Sequence, residues 1–394
     1  MLIRYGKKQN GKLIKKAVVY TREEHRINAA DVDGDAVFIT GRLRANGYES
    51  YIVGGAVRDL MLGKKPKDFD IVTGATPVQI KRIFRNSRII GKRFRLVHVV
   101  FGPKIFEVST FRSLRDGPTS NTYGTIEEDV LRRDFSFNAL FYDPGKQVVV
   151  DYVNGMSDIK RKRLRPIIAS ALIFKDDPVR MIRALKYATA GGFTVPWLLR
   201  RRIKSEAPLL GRVSPSRLTE ELSKIIRSPQ AAAIVEDLEK AGLYGYLQKE
   251  ASALMKDPAF RESYLRSLAR SSGGDPAEGW ALAALVRDYL ERKTAWGDLK
   301  NREDYRGVFF EARRFILPMN PPRVELERAV RLVFAEHGIN IKKVRLFERD
   351  RERPPAAGSS GGVPGRGTRN PVPEGDSRTP RRRRRGVKPG GRSE

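Results

Sequence analysis

The strongest chemical signal in the sequence is a short run, Lys67–Asp68–Phe69–Asp70–Ile71–Val72. In a strand, residues i and i+2 point to the same face, so Asp68 and Asp70 aim together while Phe69 packs behind them. Two carboxylates held side by side repel unless a cation sits between them. Magnesium suits such a pair, because it takes oxygen ligands, keeps several waters and binds substrate phosphates. Asp-x-Asp by itself is also common in exposed loops, so its meaning depends on its surroundings.

Upstream, Gly54–Gly55 follows the apolar Tyr51–Ile52–Val53 and precedes an amphipathic stretch, residues 56–62. Missing Cβ atoms there let a triphosphate approach the backbone beside a helix N-terminus, although a tight turn alone would look the same. The Walker A spacing is absent. Downstream, Ile105–Phe106–Glu107–Val108 alternates, so Glu107 points away from Phe106 and Val108. A neighbouring strand could bring it to the aspartates, or it could be a solvated edge residue. Arg132 and Arg133 beside Asp134 could hold phosphates and orient one another, or form an exposed ion pair at a helix start. Asp177 and Arg180, read as i and i+3 on one helical face, offer an acceptor and a forked donor for the edge of a base. The same pair is often only a surface salt bridge.

These residues need a scaffold, and the pattern supplies one. Strands are expected at residues 51–53, 69–72, 96–101 and 105–111, with a short one at 17–20. Helices are expected at 36–45 and 78–84, the latter opened by Thr76–Pro77. From about Asp176 to Phe347 the spacing turns helical. The chain therefore reads as α+β: an N-terminal extension (1–35), a mixed-sheet head (36–165), a helical neck (166–230), a helical body (231–350) and a tail (351–394). The tail has no Phe, Trp, Tyr, Leu, Ile or Met and is expected to be disordered.

Charge narrows the partner. The chain carries +31, with Lys+Arg 77 against Asp+Glu 46. The tail supplies twelve basic and four acidic residues, a net +8, so residues 1–350 keep +23. Both the folded part and the arm, with its arginine run at 381–385, suit a polyanion. A hydrophobic fraction of 40% excludes a wholly disordered basic protein. The absence of cysteine excludes disulfides, thiolate zinc and cysteine nucleophiles, and three histidines make a multi-histidine site an unsuitable explanation. With no apolar run near the start and none long enough to span a bilayer, the expectation is a cytoplasmic protein without a membrane partner.

Taken in order, Val53–Gly54–Gly55–Ala56–Val57–Arg58–Asp59, the Asp68/Asp70 pair, Arg132–Arg133–Asp134–Phe135 and Asp177–Pro178–Val179–Arg180 resemble the class II nucleotidyltransferases of the polymerase-β type. That family comprises tRNA CCA-adding enzymes and bacterial poly(A) polymerases, and the resemblance covers about residues 18–230. The stretch 88–99 and Tyr20–Thr21–Arg22–Glu23–Glu24–His25 are similar to the poly(A) polymerase branch. The resemblance implies template-independent addition of AMP from ATP to RNA 3′ ends with two magnesium ions. Asp68 and Asp70 would hold metal, with Asp134 and Glu107 as candidates to complete the carboxylate set. Gly54, Gly55, Arg58, Arg132 and Arg133 would contact the triphosphate or support that contact, and Asp177 and Arg180 would select the base. Arg217 and Glu221 match a neck motif that braces the site. One departure is Asp176, where the family usually has Glu. Further partners implied are RNA-decay or RNA-chaperone proteins. The alternatives are a CCA-adding product and a relative that binds RNA without catalysis. The intact aspartate pair argues against the last, because a lost site has no need of two repelling carboxylates.

Overall fold

The structure is a computed structural model that describes residues 2–7, 13–91, 96–113, 122–270, 279–299 and 301–339. Nine strands build one mixed sheet: β1 (Leu2–Lys7), β2 (Leu13–Tyr20), β3 (Ser50–Val53), β4 (Asp70–Thr73), β5 (Ser87–Ile90), β6 (Leu96–Phe101), β7 (Lys104–Thr110), β8 (Leu140–Asp143) and β9 (Val148–Asp151). Their order is β1-β2-β9-β8-β3-β4-β7-β6-β5. Every neighbouring pair is antiparallel except β4 and β7, which run parallel with Ile71 opposite Val108.

The central strands are buried on both faces, as a layered α/β head requires. On one face Tyr51, Val53, Val72, Phe111, Phe141 and Val150 form a core with Ile126 and Val130 of the Ile126–Leu131 helix. On the other, Ile52 and Ile71 are fully buried. The Gly34–Ala45, Gly55–Met61 and Pro77–Ile83 helices pack against the sheet. The last begins with Thr76 and Gln79 capping each other reciprocally, which fixes where the chain leaves β4.

Residues 1–35, set apart as an extension from the sequence, are corrected in part. Strands β1 and β2 belong to the head sheet, with β2 pairing to β9 through Val18 opposite Asp151. Lys15 and Lys16 side by side break the apolar alternation, whereas backbone pairing to an open edge is indifferent to them. Behind β2, His25 is buried, its Nε2 3.0 Å from the Gln147 carbonyl and its Nδ1 accepting from the Ile27 N–H. The N-terminal segment is thereby clamped to the β8–β9 turn.

Beyond residue 172 the described chain is helical, from Ile173–Asp176 and Val179–Gly191 through to Arg323–Glu336. The expected tail and residues 92–95 of the 88–99 stretch lie outside the described residues.

Head and neck are joined by aromatic packing. Phe137 is fully buried and stacks on Phe135 (5.7 Å between centroids) and on Phe193 (4.4 Å), with Tyr187 edge-on at 5.9 Å. Gly155 allows this segment its close approach, since a Cβ there would fall 2.2 Å from the Ser136 carbonyl oxygen. Replacing Phe137 with Ala would leave a cavity at the junction. The expected result of urea unfolding on the full chain is a loss of about 3–5 kcal/mol, with Phe137→Leu losing less than half as much.

Candidate active site

Strand β3 ends at Val53 because the next residue turns: Gly54 has φ +70°, a left-handed conformation that L side chains rarely adopt. A Cβ on Gly54 would lie 3.7 Å from Asp70 Oδ2 and 3.9 Å from Arg133 Nη1, so the glycine also keeps the space between those groups open. Asp70, the first residue of β4, pairs with Val53. Asp68 is a correction. It lies in the loop before β4 rather than on the strand, because β3 has run out and offers it no partner.

Parallel pairing to β7 sets Asp70 level with Glu107, one residue ahead of the Ile71–Val108 pair. Phe106 and Val108 point into the core and leave Glu107 exposed on the opposite face. Asp70 keeps solvent contact through the cleft mouth, yet protein crowds it closely enough to change its chemistry. Burial first, then repulsion from Glu107 and Asp68, pushes its carboxyl up to about 6 against the pull of Arg133. His98, opposite Glu107 on β6, places Nε2 3.6 Å from its carboxylate.

Asp70 opens into a cleft of about 420 Å³ whose walls include Gly54, Gly55, Arg132, Arg133, Asp134, Asp177 and Arg180. Asp68, Glu107 and Arg58 are not among its lining residues. Arg132 and Arg133 in the cleft, and Arg58 behind it, are each held by a neighbour. Arg133 pairs with Asp129 at 2.9 Å and lies over the Phe141 ring at 4.9 Å. Arg132 Nη1 donates to the Ser113 carbonyl at 2.6 Å. Arg58 donates to Asn138 Oδ1 at 2.9 Å, and Asn138 Nδ2 donates to Asp134 at 3.1 Å. Arg58 thus acts on the cleft through Asn138. Asp134 Oδ1 also accepts the Phe135 N–H.

Asp177 and Arg180 both reach the cleft, but not as partners on one helical face. Pro178 keeps Asp177 extended (φ −148°, ψ 101°), and the helix starts at Val179. Arg180 pairs instead with Asp176 at 2.6 Å and donates to the Arg132 carbonyl at 3.1 Å. Asp176, shorter than the family's usual Glu, still spans that gap. Asp177 receives the Val179 N–H and pairs with Arg217 at 2.9 Å.

Beneath them, Glu221 of the Pro215–Ile226 helix is 2% exposed and pairs with Arg183 at 2.7 Å and Lys186 at 2.6 Å. Burial alone would push its carboxyl up, but Lys186 and Arg183 together overcome that and hold it at about 2. Burial pulls Lys186 down while Glu221 pushes Arg183 up, so the two cations share the anion unequally.

Asp129, Asn138, Arg183 and Tyr187 also line or support the cleft and were not singled out from sequence. An i,i+4 spacing could have found Asp129 with Arg133. The pairing of Arg183 with Glu221, 38 residues apart, left no local signal.

A mixed sheet that presents carboxylates at a glycine turn, opposite arginines from a helical neck, defines a nucleotidyltransferase-type head. Comparison with known proteins agrees. Residues 50–165 match the poly A polymerase head domain, and residues 192–255 match a region described as "Probable RNA and SrmB- binding site of polymerase A". The chain is 43% identical over 226 residues to poly(A) polymerase I of Escherichia coli O6:H1, covering 53% of this chain and 49% of that protein. It is 33% identical over 273 residues to a CCA-adding enzyme of Geobacillus kaustophilus, covering 66% and 65%. The crystal structure of the Bacillus stearothermophilus CCA-adding enzyme in complex with CTP superposes with a TM-score of 0.53 at 28% identity, covering 76% of this chain and 82% of that one. Residues 50–165 thus carry a nucleotidyltransferase head similar to those of poly(A) polymerases and CCA-adding enzymes. It spans about half the length of the poly(A) polymerase relatives it matches.

The Glu221 pairing carries a pH dependence. A carboxyl whose folded pKa is depressed adds stability that is fully present above its unfolded value of 4.5 and lost as pH falls towards about 2. That contribution is on the order of 3 kcal/mol. Urea unfolding between pH 5 and 2 should show it, and Glu221→Gln should flatten that part of the acid limb while lowering stability at neutral pH.

Proposed function

We propose that the chain transfers AMP from ATP to the 3′ end of RNA without a template, as a poly(A) polymerase. The observation that carries this reading is the carboxylate set around Asp70, facing a cleft walled by Arg132, Arg133 and Arg180. Identity to a poly(A) polymerase I, at 43%, exceeds the 33% to a CCA-adding enzyme, although over fewer residues. A CCA-adding product remains the second reading, favoured by the structural match to a CCA-adding enzyme.

The reaction joins the primer 3′-hydroxyl oxygen to the α-phosphorus of ATP and expels pyrophosphate in line. Gly54 and Gly55 leave the backbone accessible to the triphosphate, and Arg132 and Arg133 offset its charge. Asp177, oriented by Arg217, and Arg180, oriented by Asp176 and the Arg132 carbonyl, present a fixed acceptor and donor to the incoming base. Fixed hydrogen-bonding groups discriminate because the wrong base would leave them unpaired.

The donor set fits magnesium. It is all oxygen, and a divalent cation would offset both the burial and the repulsion from Glu107 and Asp68 that raise Asp70. Among the described residues no group of three or more His, Cys, Asp or Glu side chains is gathered closely enough to hold a metal, so any ligand set here would have to draw together on binding. Asp68 and Asp70 would be the ligands, with Glu107 better placed to join them than Asp134, whose Oδ1 already accepts from Phe135 and Asn138. When bound, magnesium supplies Lewis acidity at the attacking hydroxyl and at the departing pyrophosphate.

Asp68→Asn and Asp70→Asn should each abolish magnesium-dependent extension of an RNA primer while leaving RNA affinity unchanged. Extension that persisted in both would sink the assignment. Product identity is a separate measurement, made by supplying ATP alone and then ATP with CTP to a truncated tRNA and an unrelated RNA. Long adenylate tails on both RNAs are expected, whereas a stop after CCA on the tRNA alone would establish the second reading.

A further inference from the structure

Residues 160–163 read Lys-Arg-Lys-Arg, and all four are exposed. Neither they nor Arg201 pair with a carboxylate among the described residues. The neighbouring arginines are paired, Arg165 with Asp158 and Arg200 with Asp237. Cations left unpaired on a protein of net charge +31 repel one another, and a polyanion removes that repulsion.

The run is placed by the backbone on both sides of it. Ser136 N–H donates to the Arg165 carbonyl at 3.0 Å and Ile167 N–H to the Asp134 carbonyl at 3.2 Å. Leu164 N–H donates to the Thr194 carbonyl at 3.0 Å, and Thr194 N–H to the Lys162 carbonyl at 2.7 Å. One segment therefore joins the Asp134 motif to the chain that enters the Trp197–Glu206 helix. Pro166 bridges to Phe135, and Arg163, three residues back along the chain, lies within about 10 Å of Pro166 at roughly 3.3 Å per extended residue.

That helix is anchored by Leu199 and Ile203, both buried. Its other face carries Trp197, 67% exposed, with the Arg201 guanidinium 5.6 Å from the indole centroid. The core does not use this tryptophan. An exposed indole with a guanidinium over one face, neither paired with a carboxylate, is the chemistry that receives an unstacked base and its phosphates.

We propose that Trp197, Arg201 and the cations at 160–163 form a platform for single-stranded RNA, with the indole stacking on a base and the cations gripping phosphates just upstream of the 3′ end. The inference rests on the reading that the chain extends RNA, and it sharpens the broad match of residues 192–255 to named side chains and adds residues outside it.

The test uses the full chain and fluorescein-labelled oligo(A), without ATP or metal, so that binding is read apart from catalysis. Trp197→Ala should weaken binding roughly 5- to 150-fold, the span of a single base–aromatic stack, and Trp197→Phe should restore most of it. Lys160→Ala combined with Arg163→Ala should reduce the slope of log affinity against log salt by about 1.4 units. In extension assays the defect should appear as a raised KM for RNA with the KM for ATP unmoved. Unchanged unfolding curves check that the variants fold. Wild-type affinity and salt slope in all of them would overturn the platform. Weakened binding in a chain that adds no nucleotide would instead overturn the polymerase reading and leave the platform standing.

Discussion

Burial of the Asp70 carboxylate beside Glu107 and Asp68 is the constraint around which the head is organised. A strand end would shed such crowding by fraying, but β4 cannot fray, because it is hydrogen-bonded to β3 on one side and β7 on the other. The single parallel pairing in the sheet is the one that sets Glu107 level with Asp70. Buried Val53, Val72 and Phe141 hold the register, since slipping by one residue would turn these apolar side chains to the wrong face. The fold thus uses hydrophobic burial to keep like charges close, and the proximity leaves the site receptive to a cation.

The opposite wall follows a related logic. Arginines are useful to a triphosphate only if they do not collapse onto the nearest acid, and here each is tethered at one edge. Asp129 holds Arg133, Asp176 holds Arg180, and the Ser113 carbonyl takes Arg132. Glu221 performs the same service in the interior, fixing Arg183 and Lys186 on the Val179–Gly191 helix. Because this anion is buried, its ion pairs are not diluted by solvent, and the two helices are locked at the height the cleft requires.

Much of this was legible beforehand. The glycine turn, the helix opened by Thr76–Pro77, the alternation around Glu107 and the helical remainder all follow from local spacing and from residues whose backbone preferences are narrow. Local rules misplaced two features. Asp68 was put on a strand because alternation continues through it, whereas a strand exists only where a partner does. Asp177 was put on a helix although Pro178 follows it, a restriction that a close reading of the chain could have applied. The N-terminal strands were understated because their lysines mask an edge pairing that depends on backbone alone.

The sequence by itself determined the chemistry available: oxygen ligands without thiols, arginines in pairs, a positive surface, and the glycines that let phosphate approach. These are properties of residue type and short-range spacing, and they survive without a fold. Tertiary structure alone decided which charges meet. Glu107 reaches Asp70 through a parallel ladder, Arg183 finds Glu221 across 38 residues, and Trp197 is left outside the core beside an unpaired basic run. Electrostatic interaction depends on separation in space and on burial, and neither can be read from separation along the chain.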